Sequence, residues 1–329
     1  MDPDQVNDSL QWGVRAVPGP HGLTLRGINV GIYGDIPEES RDMTRRPRGA
    51  MPNPNLPRLD NYSINHKNEL WADNAVDLYE ESVQRRWLVE EDIPWTTVEP
   101  LDENLELAIC QFCTELCHQA SVEIDTLGQW LHKMNYSYHE VKVFLATQAF
   151  DAARHYEVFS KRAVYNGGCL GHESVGIVNR RIIECRSGWT ETALYLYFLR
   201  GSLTTLLYRY GELYSKNPAE KLFFRLCLQD KSRHVAYGMA HVKYAIDSKG
   251  EDYSESLLRF ISSAETDIAL EFQDPILWEA LAIIFGGGID KISDGMRIVR
   301  GLKERYVSEY MKRMRWVGID KTEDNLALD

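Results

Sequence analysis

Apolar residues recur at helical spacing along most of this chain after residue 66, whereas the alternation typical of β-strands is nearly absent. Four long amphipathic helices are predicted, at 102–133, 138–166, 176–215 and 218–247, separated by the turn signals NYS, NGG and KNP. Shorter helices are expected at 253–285 and 289–315, on either side of a Gly-Gly-Gly break. Because each apolar stripe must be buried against another helix, the pattern predicts an all-α bundle of helices about 25 residues long.

The first 66 residues differ from the rest. They contain eight of the twelve prolines, the basic stretch RDMTRRPRG and almost no apolar periodicity. Proline fixes φ and removes a hydrogen-bond donor, so such a segment either stays mobile or lies extended across another surface, such as a partner subunit. A first helical stretch begins at Asn68 and ends before Pro94. We therefore divide the chain into a Pro-rich extended arm at 1–66 and a helical domain at 67–329.

Composition narrows the function classes. The chain has 329 residues, 44% of them hydrophobic, and can bury a large core without disulfide or metal staples. Its formal net charge of -12 argues against binding nucleic acid, which requires clustered Lys and Arg. No run approaches the roughly 18 apolar residues that span a bilayer, and the start MDPDQVNDSLQW lacks a signal-peptide profile. We expect a cytoplasmic protein with no membrane segment.

The six cysteines are too few and too scattered to indicate a disulfide framework, so reduced thiols are expected. Cys110, Cys113 and Cys117 fall at i, i+3 and i+7 on one helix stripe, which could suggest a metal or redox cluster. Packing along a helix seam is the favoured interpretation, because free Cys is among the most buried residue types.

Two short sequence motifs in the predicted helices, called the two phrases below, are alike. They are DAARHYEVF at 151–159 and DKSRHVAYG at 230–238, and each contains Asp-x-x-Arg-His. They fall on the second and fourth long helices. Residues i and i+4 share a helix face, so each aspartate lies over the histidine of its own phrase and both pairs are expected to point into the bundle. A lone interior histidine is more often a satisfied core residue than a ligand, but two framed alike indicate a shared site.

With these phrases, residues 70–245 resemble the ferritin-like di-iron carboxylate oxygenases, a group that includes bacterial multicomponent monooxygenases, di-iron N-oxygenases and the small subunit of ribonucleotide reductase. In that family each phrase reads Asp-Glu-x-Arg-His, and two Glu-x-x-His pairs join a glutamate from each of the other two helices to hold two irons. The resemblance implies an all-α, ferritin-like four-helix bundle with additional helices and an extended N-terminal arm.

The resemblance also implies roles for individual residues. His155 and His234 match the two histidine ligands of the family. Asp151 and Asp230 match the carboxylates that hydrogen-bond to such histidines and orient them.

Two further carboxylates are candidate ligands. Glu123, 32 residues before the first histidine, is close to the family spacing for the first-helix glutamate and is preferred to Glu115. On the third helix Glu191 is the candidate, although it lies nearly two turns from the family register and Tyr197 is nearer.

The departures from the family pattern are specific. The glutamate three residues before each histidine is replaced by Ala152 in the first phrase and by Lys231 in the second. In the family those two glutamates bridge the irons, and two cations about 3.5 to 4 Å apart need anionic bridges to offset their repulsion. We therefore expect that a conventional di-iron centre does not assemble here.

Three states of the site remain open. In a metal-free state, Lys231 replaces the charge of the metals and pairs with Glu123, Glu191 or an aspartate, because a buried ammonium must be paired or lose its proton. In a mononuclear state, both histidines and one glutamate hold iron or manganese. In the third state the helices are only a scaffold, and a partner chain does the chemistry.

The first functional hypothesis is an O2-linked, oxygenase-like oxidoreductase that acts on a small-molecule substrate with Lys231 as its distinguishing catalytic group. It rests on selective loss, since only the bridging pair is missing while both histidines, aspartates and arginines remain. The alternative is a non-catalytic subunit of a multicomponent monooxygenase-type complex. We expect a homodimer or a heteromer with a related subunit. Iron storage is disfavoured because ferroxidase sites also need bridging carboxylates.

Overall fold

The structure, a computed structural model, describes residues 13–40, 55 and 63–320. Part of the predicted arm, including the prolines at 47, 52, 54 and 57, lies outside the described residues. The helices of the described part are α1 (Ala75–Gln84), α2 (Glu103–Leu131), α3 (His139–Tyr165), α4 (Ile177–Glu184), α5 (Trp189–Ala193), α6 (Gly201–Tyr214), α7 (Pro218–Lys249), α8 (Glu251–Gln273), α9 (Pro275–Gly286) and α10 (Ile292–Trp316).

A four-helix bundle forms the centre of the molecule. Helix α2 packs along α3, α6 packs along α7, and α3 and α7 meet in the interior. Thr204 of α6 donates a hydrogen bond of 2.8 Å to Gln119 of α2, which links the two pairs on the remaining side. The predicted all-α fold is confirmed, and the long helices at 102–133, 138–166 and 218–247 have nearly the predicted bounds.

The third predicted helix, 176–215, is wrong in detail. Residues 185–188 are not helical and interrupt it. Gly188, in an extended conformation, is the N-cap of α5. A Cβ added at Gly188 would lie 2.2 Å from Oε2 of Glu191, so a larger residue there would require that flexible side chain to move. The predicted helix at 253–285 is also two helices, because Pro275 has no N–H to continue α8 and instead occupies the first turn of α9.

Between α5 and α6 the chain runs through a π-helical turn, Leu194–Arg200, every residue of which is buried. One extra residue per turn changes which side chains face the bundle interior, and such turns are frequent at functional sites. Tyr197 lies in this turn and is fully buried. Sequence periodicity does not reveal a π turn here, because a fully buried helical segment carries apolar residues on every face. Their spacing therefore does not show how many residues each turn contains.

The remaining helices cover the bundle. Helix α9 packs on α2, and α10 packs on α9 and α6. Asp274 caps α9 by accepting a hydrogen bond of 3.1 Å from the backbone N–H of Ile276, and Gly287, at φ +79°, ends the helix in the left-handed region. No helix in the described part of the chain is long and apolar enough to cross a membrane.

The described portion of the arm lies on its own chain. Arg26 pairs with Asp77 of α1 at 2.8 Å, and Asn29 donates a hydrogen bond to Glu140 of α3. The Lys67 ammonium lies 3.1 Å from Glu38. The described part of the arm therefore packs on the helical domain of its own chain. Wrapping of the arm around a partner subunit stays a prediction.

The stripe of Cys110, Cys113 and Cys117 packs between α2 and α3. The Cys110 thiol donates to the carbonyl of Ala163 at 3.1 Å, and Cys117 lies 3.3 Å from the hydroxyl of Ser160. All three thiols are free and buried, and burial raises the pKa of each. These contacts favour packing over redox chemistry, because the thiolate is the reactive form.

Candidate functional site

The two Asp-x-x-Arg-His phrases meet where α3 crosses α7, and their aspartates and histidines pair across the helices. His155 Nε2 lies 3.2 Å from Asp230 Oδ2, and His234 Nε2 lies 3.1 Å from Asp151 Oδ2. Each aspartate therefore contacts the histidine of the other phrase. Carboxylate–imidazole contacts of this kind fix the orientation of both rings, whose centroids are 6.3 Å apart.

The arginine of each phrase holds both aspartates. Arg154 donates to Asp151 and lies 3.1 Å from Asp230, while Arg233 donates to Asp230 and lies 3.4 Å from Asp151. All four side chains are buried. The repeated phrase is thus explained by its pseudo-symmetric packing. The aspartate of each phrase contacts the histidine of the other, and the arginine of each contacts both aspartates.

The Lys231 ammonium forms a buried ion pair with Glu123. Its Nζ lies 2.6 Å from Glu123 Oε2, and the two residues are 2% and 3% exposed. The second oxygen of Glu123 accepts a hydrogen bond of 2.6 Å from the amide of Gln148. Burial raises the pKa of Glu123, but the attraction of Lys231 and the contact with His234 together outweigh it and hold that pKa well below the ordinary value.

The buried charges of the centre balance. With both histidines neutral, three formal cations face three formal anions: Lys231, Arg154 and Arg233 against Glu123, Asp151 and Asp230. Because charges in a low-dielectric interior need partners, this balance permits the cluster to remain buried.

One ring nitrogen of the centre lacks a hydrogen-bond partner. Nδ1 of His234 lies 3.1 Å from Glu123 Oε1, but the contact does not have hydrogen-bond geometry. Burial lowers the pKa of His234, and the neighbouring carboxylates of Asp151 and Glu123 more than compensate, so the pKa is raised overall. The corresponding nitrogen of His155 lies 3.4 Å from the hydroxyl of Tyr208.

The donor set does not fit a dinuclear metal centre. The two oxygens of Glu123 accept hydrogen bonds from Lys231 and Gln148. Ala152, which carries only a methyl group, stands where one of the missing glutamates would be. Within 13–40 and 63–320, no group of three or more His, Cys, Asp or Glu side chains is arranged to hold a metal ion.

The structure brings together six of the seven residues selected from the sequence, and Glu191 is the exception. The carboxylate of Glu191 accepts a hydrogen bond of 3.3 Å from Tyr253 of α8, away from the cluster. Burial raises the pKa of Glu191. Its expected place near the histidines is therefore wrong: the π turn brings Tyr197 inward, and Tyr197 donates a hydrogen bond of 2.9 Å to Gln148.

Sequence reasoning missed three contacting residues. Gln148 and Tyr208 contact the centre as described, and Trp87 donates a hydrogen bond of 2.9 Å to Asp230. Gln148 lies three residues before Asp151, on the same face of α3, so helical spacing could have identified it. Trp87 lies in the loop after α1, and nothing in its sequence context indicates the contact.

The pKa shifts predict how stability depends on pH. Glu123 and Asp230 both have folded-state pKa values well below their ordinary values, so their stabilisation is present above about pH 4 and is lost as the pH falls. Each such group adds a slope of about 1.4 kcal/mol per pH unit below that point. We expect Glu123→Gln to reduce the slope between pH 4 and pH 2.5 by about one proton, measured by urea unfolding at a series of pH values. An unchanged slope would contradict the depressed pKa of Glu123.

Comparison with solved structures identifies the fold that contains this site. The chain matches no protein-family model and no curated protein sequence. Among solved structures it is similar to a variant of an R2-like ligand-binding oxidase with an aerobically reconstituted Mn/Fe cofactor, at TM-score 0.54 and 15% identity over 76% of this chain and 95% of that one. The chain has the ferritin-like fold. A second variant of that oxidase, with an Fe/Fe cofactor, gives the same values.

The ferritin-like fold accounts for the four-helix bundle in which α3 and α7 bring the two phrases together. At 15% identity the likeness concerns the fold, and the cofactors belong to the proteins that carry them. In this ferritin-like bundle, an ion pair and an alanine stand at the two positions where the family pattern has bridging glutamates.

Proposed function

We propose that the centre of this bundle is metal-free and that the chain serves as a non-catalytic, ferritin-like subunit of an oxidase- or monooxygenase-type assembly. The observation that carries the proposal is the 2.6 Å contact between Lys231 and Glu123, buried in the middle of the site. A homodimer or a heteromer with a related subunit, and a cytoplasmic location, belong to the same proposal.

Electrostatics supports the metal-free state. A divalent ion 4 Å from an ammonium is repelled by about 8 kcal/mol at an effective dielectric constant of 20. The ion would also compete with Lys231 and Gln148 for the oxygens of Glu123. Conversely, the ion pair satisfies both buried charges where α2 packs against α7 without any cofactor, as a subunit with a structural role requires.

A second candidate is the O2-linked oxidoreductase, acting on a small-molecule substrate through a mononuclear iron or manganese site. The free Nδ1 of His234, 3.1 Å from Glu123, favours it, because a two-histidine, one-carboxylate set suits such ions. Both histidines would have to serve as neutral ligands, and Lys231 would have to leave Glu123 or lose its proton. The geometry therefore supports this candidate less well.

One purification separates the two candidates. The full-length chain is purified from its native host grown with added iron and manganese, its metals are measured by mass spectrometry, and co-purifying chains are identified. The proposal expects less than about 0.1 metal per chain and a stable complex with a chain that bears two intact Glu-x-x-His motifs. Near-stoichiometric metal in a chain without such a partner would overturn it.

Restoring the missing carboxylates should restore metal binding. We expect the double variant Ala152→Glu with Lys231→Glu to bind up to two Fe(II) or Mn(II) ions per chain, because one glutamate returns to each of the two helices that carry the histidines. The matched control is Ala152→Gln with Lys231→Gln, which adds similar bulk without charge and should bind none. Equal metal content in the two variants, measured after anaerobic reconstitution and desalting, would show that charge at these positions does not decide metal binding.

A further inference from the structure

A second polar site lies in a cavity of about 300 Å³ between α2, the chain preceding α4, and the junction of α8 with α9. Its walls include Glu115, Gln119, Arg200, Leu203 and Trp278. None of the charged residues of the bundle centre lines it. The cavity is therefore distinct from the site formed by the two phrases, although both use residues of α2.

Glu115 is an unpaired carboxyl group in the wall of this cavity. It is 4% exposed, and its Oε2 accepts a hydrogen bond of 3.1 Å from the hydroxyl of Ser174. Its Oε1 is buried without a hydrogen-bond partner, and no cation of the described residues lies within ion-pair distance of it. Burial raises the pKa of Glu115 despite the hydrogen bond from Ser174 and the weaker attraction of His118 and Arg200, so a bound cation would remove an electrostatic penalty.

Arg200 does not supply that cation. Its guanidinium lies 2.6 Å from Glu271, with which it is paired, and it attracts Glu115 only from beyond ion-pair distance. Arg200 is 5% exposed, and its Nε–H has no acceptor among the residues that the structure describes. The residues that line the cavity thus offer a free carboxylate oxygen on Glu115, a free amide oxygen on Asn179 and a free guanidinium donor on Arg200, counted within the described part of the chain.

The charged residues that line the cavity determine which charge a bound ligand can carry. Glu115, Glu271 and Asp274 contribute three carboxylates to the lining against the single guanidinium of Arg200. Much of the remaining wall is apolar, including Leu203 and Trp278. An anion would meet this excess of carboxylates and find the only guanidinium already paired, whereas a cation with an apolar body meets complementary surfaces.

We propose that this cavity binds a small organic amine, whose ammonium group contacts Glu115 and whose apolar body packs on Leu203 and Trp278. A hydroxyl or carbonyl oxygen at the other end of the ligand accepts a hydrogen bond from Nε of Arg200. The site goes beyond the proposed function and does not rest on it, because binding requires neither a metal nor a partner chain.

The test uses three probes of matched length on the full chain. Binding of 6-amino-1-hexanol, 1,6-hexanediol and hexanoate is measured by isothermal titration calorimetry at pH 7. We expect the amino alcohol to bind at least tenfold more tightly than the diol, and hexanoate not to bind. No binding of the amino alcohol up to 10 mM, or equal or tighter binding of either other probe, would overturn the proposal.

Variants assign the binding to this cavity. Glu115→Gln preserves the shape of the side chain and removes a buried carboxylate, so the variant should fold and should weaken amine binding at least tenfold. Glu103→Gln makes the same change at an exposed position of α2 and should leave binding unchanged. Leu270→Trp narrows the rim at a half-exposed position and should also weaken binding. Unchanged binding in both Glu115→Gln and Leu270→Trp would place the amine elsewhere and refute the assignment.

Discussion

Replacing Lys231 with methionine is expected to lower the free energy of unfolding by about 3–5 kcal/mol, because it leaves Glu123 as an uncompensated charge in the bundle interior. Methionine has a similar length, so the loss of packing is small. Glu123 loses its 2.6 Å contact with the ammonium and keeps only the amide of Gln148 as a hydrogen-bond donor. The measurement is equilibrium unfolding in guanidinium chloride at pH 7.

The double variant Glu123→Gln with Lys231→Met isolates the electrostatic cause. It removes both charges, and its stability should lie within about 1–2 kcal/mol of the parent chain, since a buried ion pair contributes little net stability relative to neutral groups. Lys161→Met removes a partly exposed lysine that pairs with Glu157 and should cost less than about 1 kcal/mol. If the double variant were as unstable as Lys231→Met, packing rather than unpaired charge would be the cause.

The second large effect is expected at Gly295 in α10. A Cβ at this position would lie 1.8 Å from the backbone carbonyl oxygen of Ala282 in α9. A backbone atom cannot move aside as a flexible side chain can, so α9 and α10 would have to separate. We expect Gly295→Ala to destabilise the chain by about 1–3 kcal/mol or more, as other overpacked core positions do, measured by guanidinium chloride unfolding.

Gly301, on the same helix, is the matched control. A Cβ there meets no atom within 4 Å, and alanine is the better helix former. Gly301→Ala should therefore stabilise the chain by about 0.5–1 kcal/mol. Destabilisation of similar size in both variants would contradict a steric cause at Gly295.

Much of the fold could be predicted from apolar periodicity. The bundle helices around Glu123, His155 and His234 have nearly their predicted bounds, because long amphipathic stripes have a clear phase. The helix breaks at 185–188 and at Pro275 were missed. The first has little local sequence signal beyond Gly188. The second was marked by Asp274 followed by Pro275, a capping residue and a proline that are typical of a helix start.

The candidate site was predicted in part. The repeated phrase identified the residues that α3 and α7 place together, since residues four apart on a helix share a face. It could not show that the aspartate of one phrase contacts the histidine of the other, because this depends on how the two helices cross. Glu191 was selected by residue type, and the position of the π turn was needed to exclude it.

The sequence by itself determined that this chain forms long packed helices and that two bridging carboxylates are absent, because periodicity and residue identity are local properties. Only the tertiary structure decided what fills the position of those carboxylates. Lys231 contacts Glu123 across 108 positions of sequence, and the partner of a buried ammonium is fixed by helix packing in three dimensions. The cavity around Glu115 likewise exists only where separate helices and a connecting segment meet.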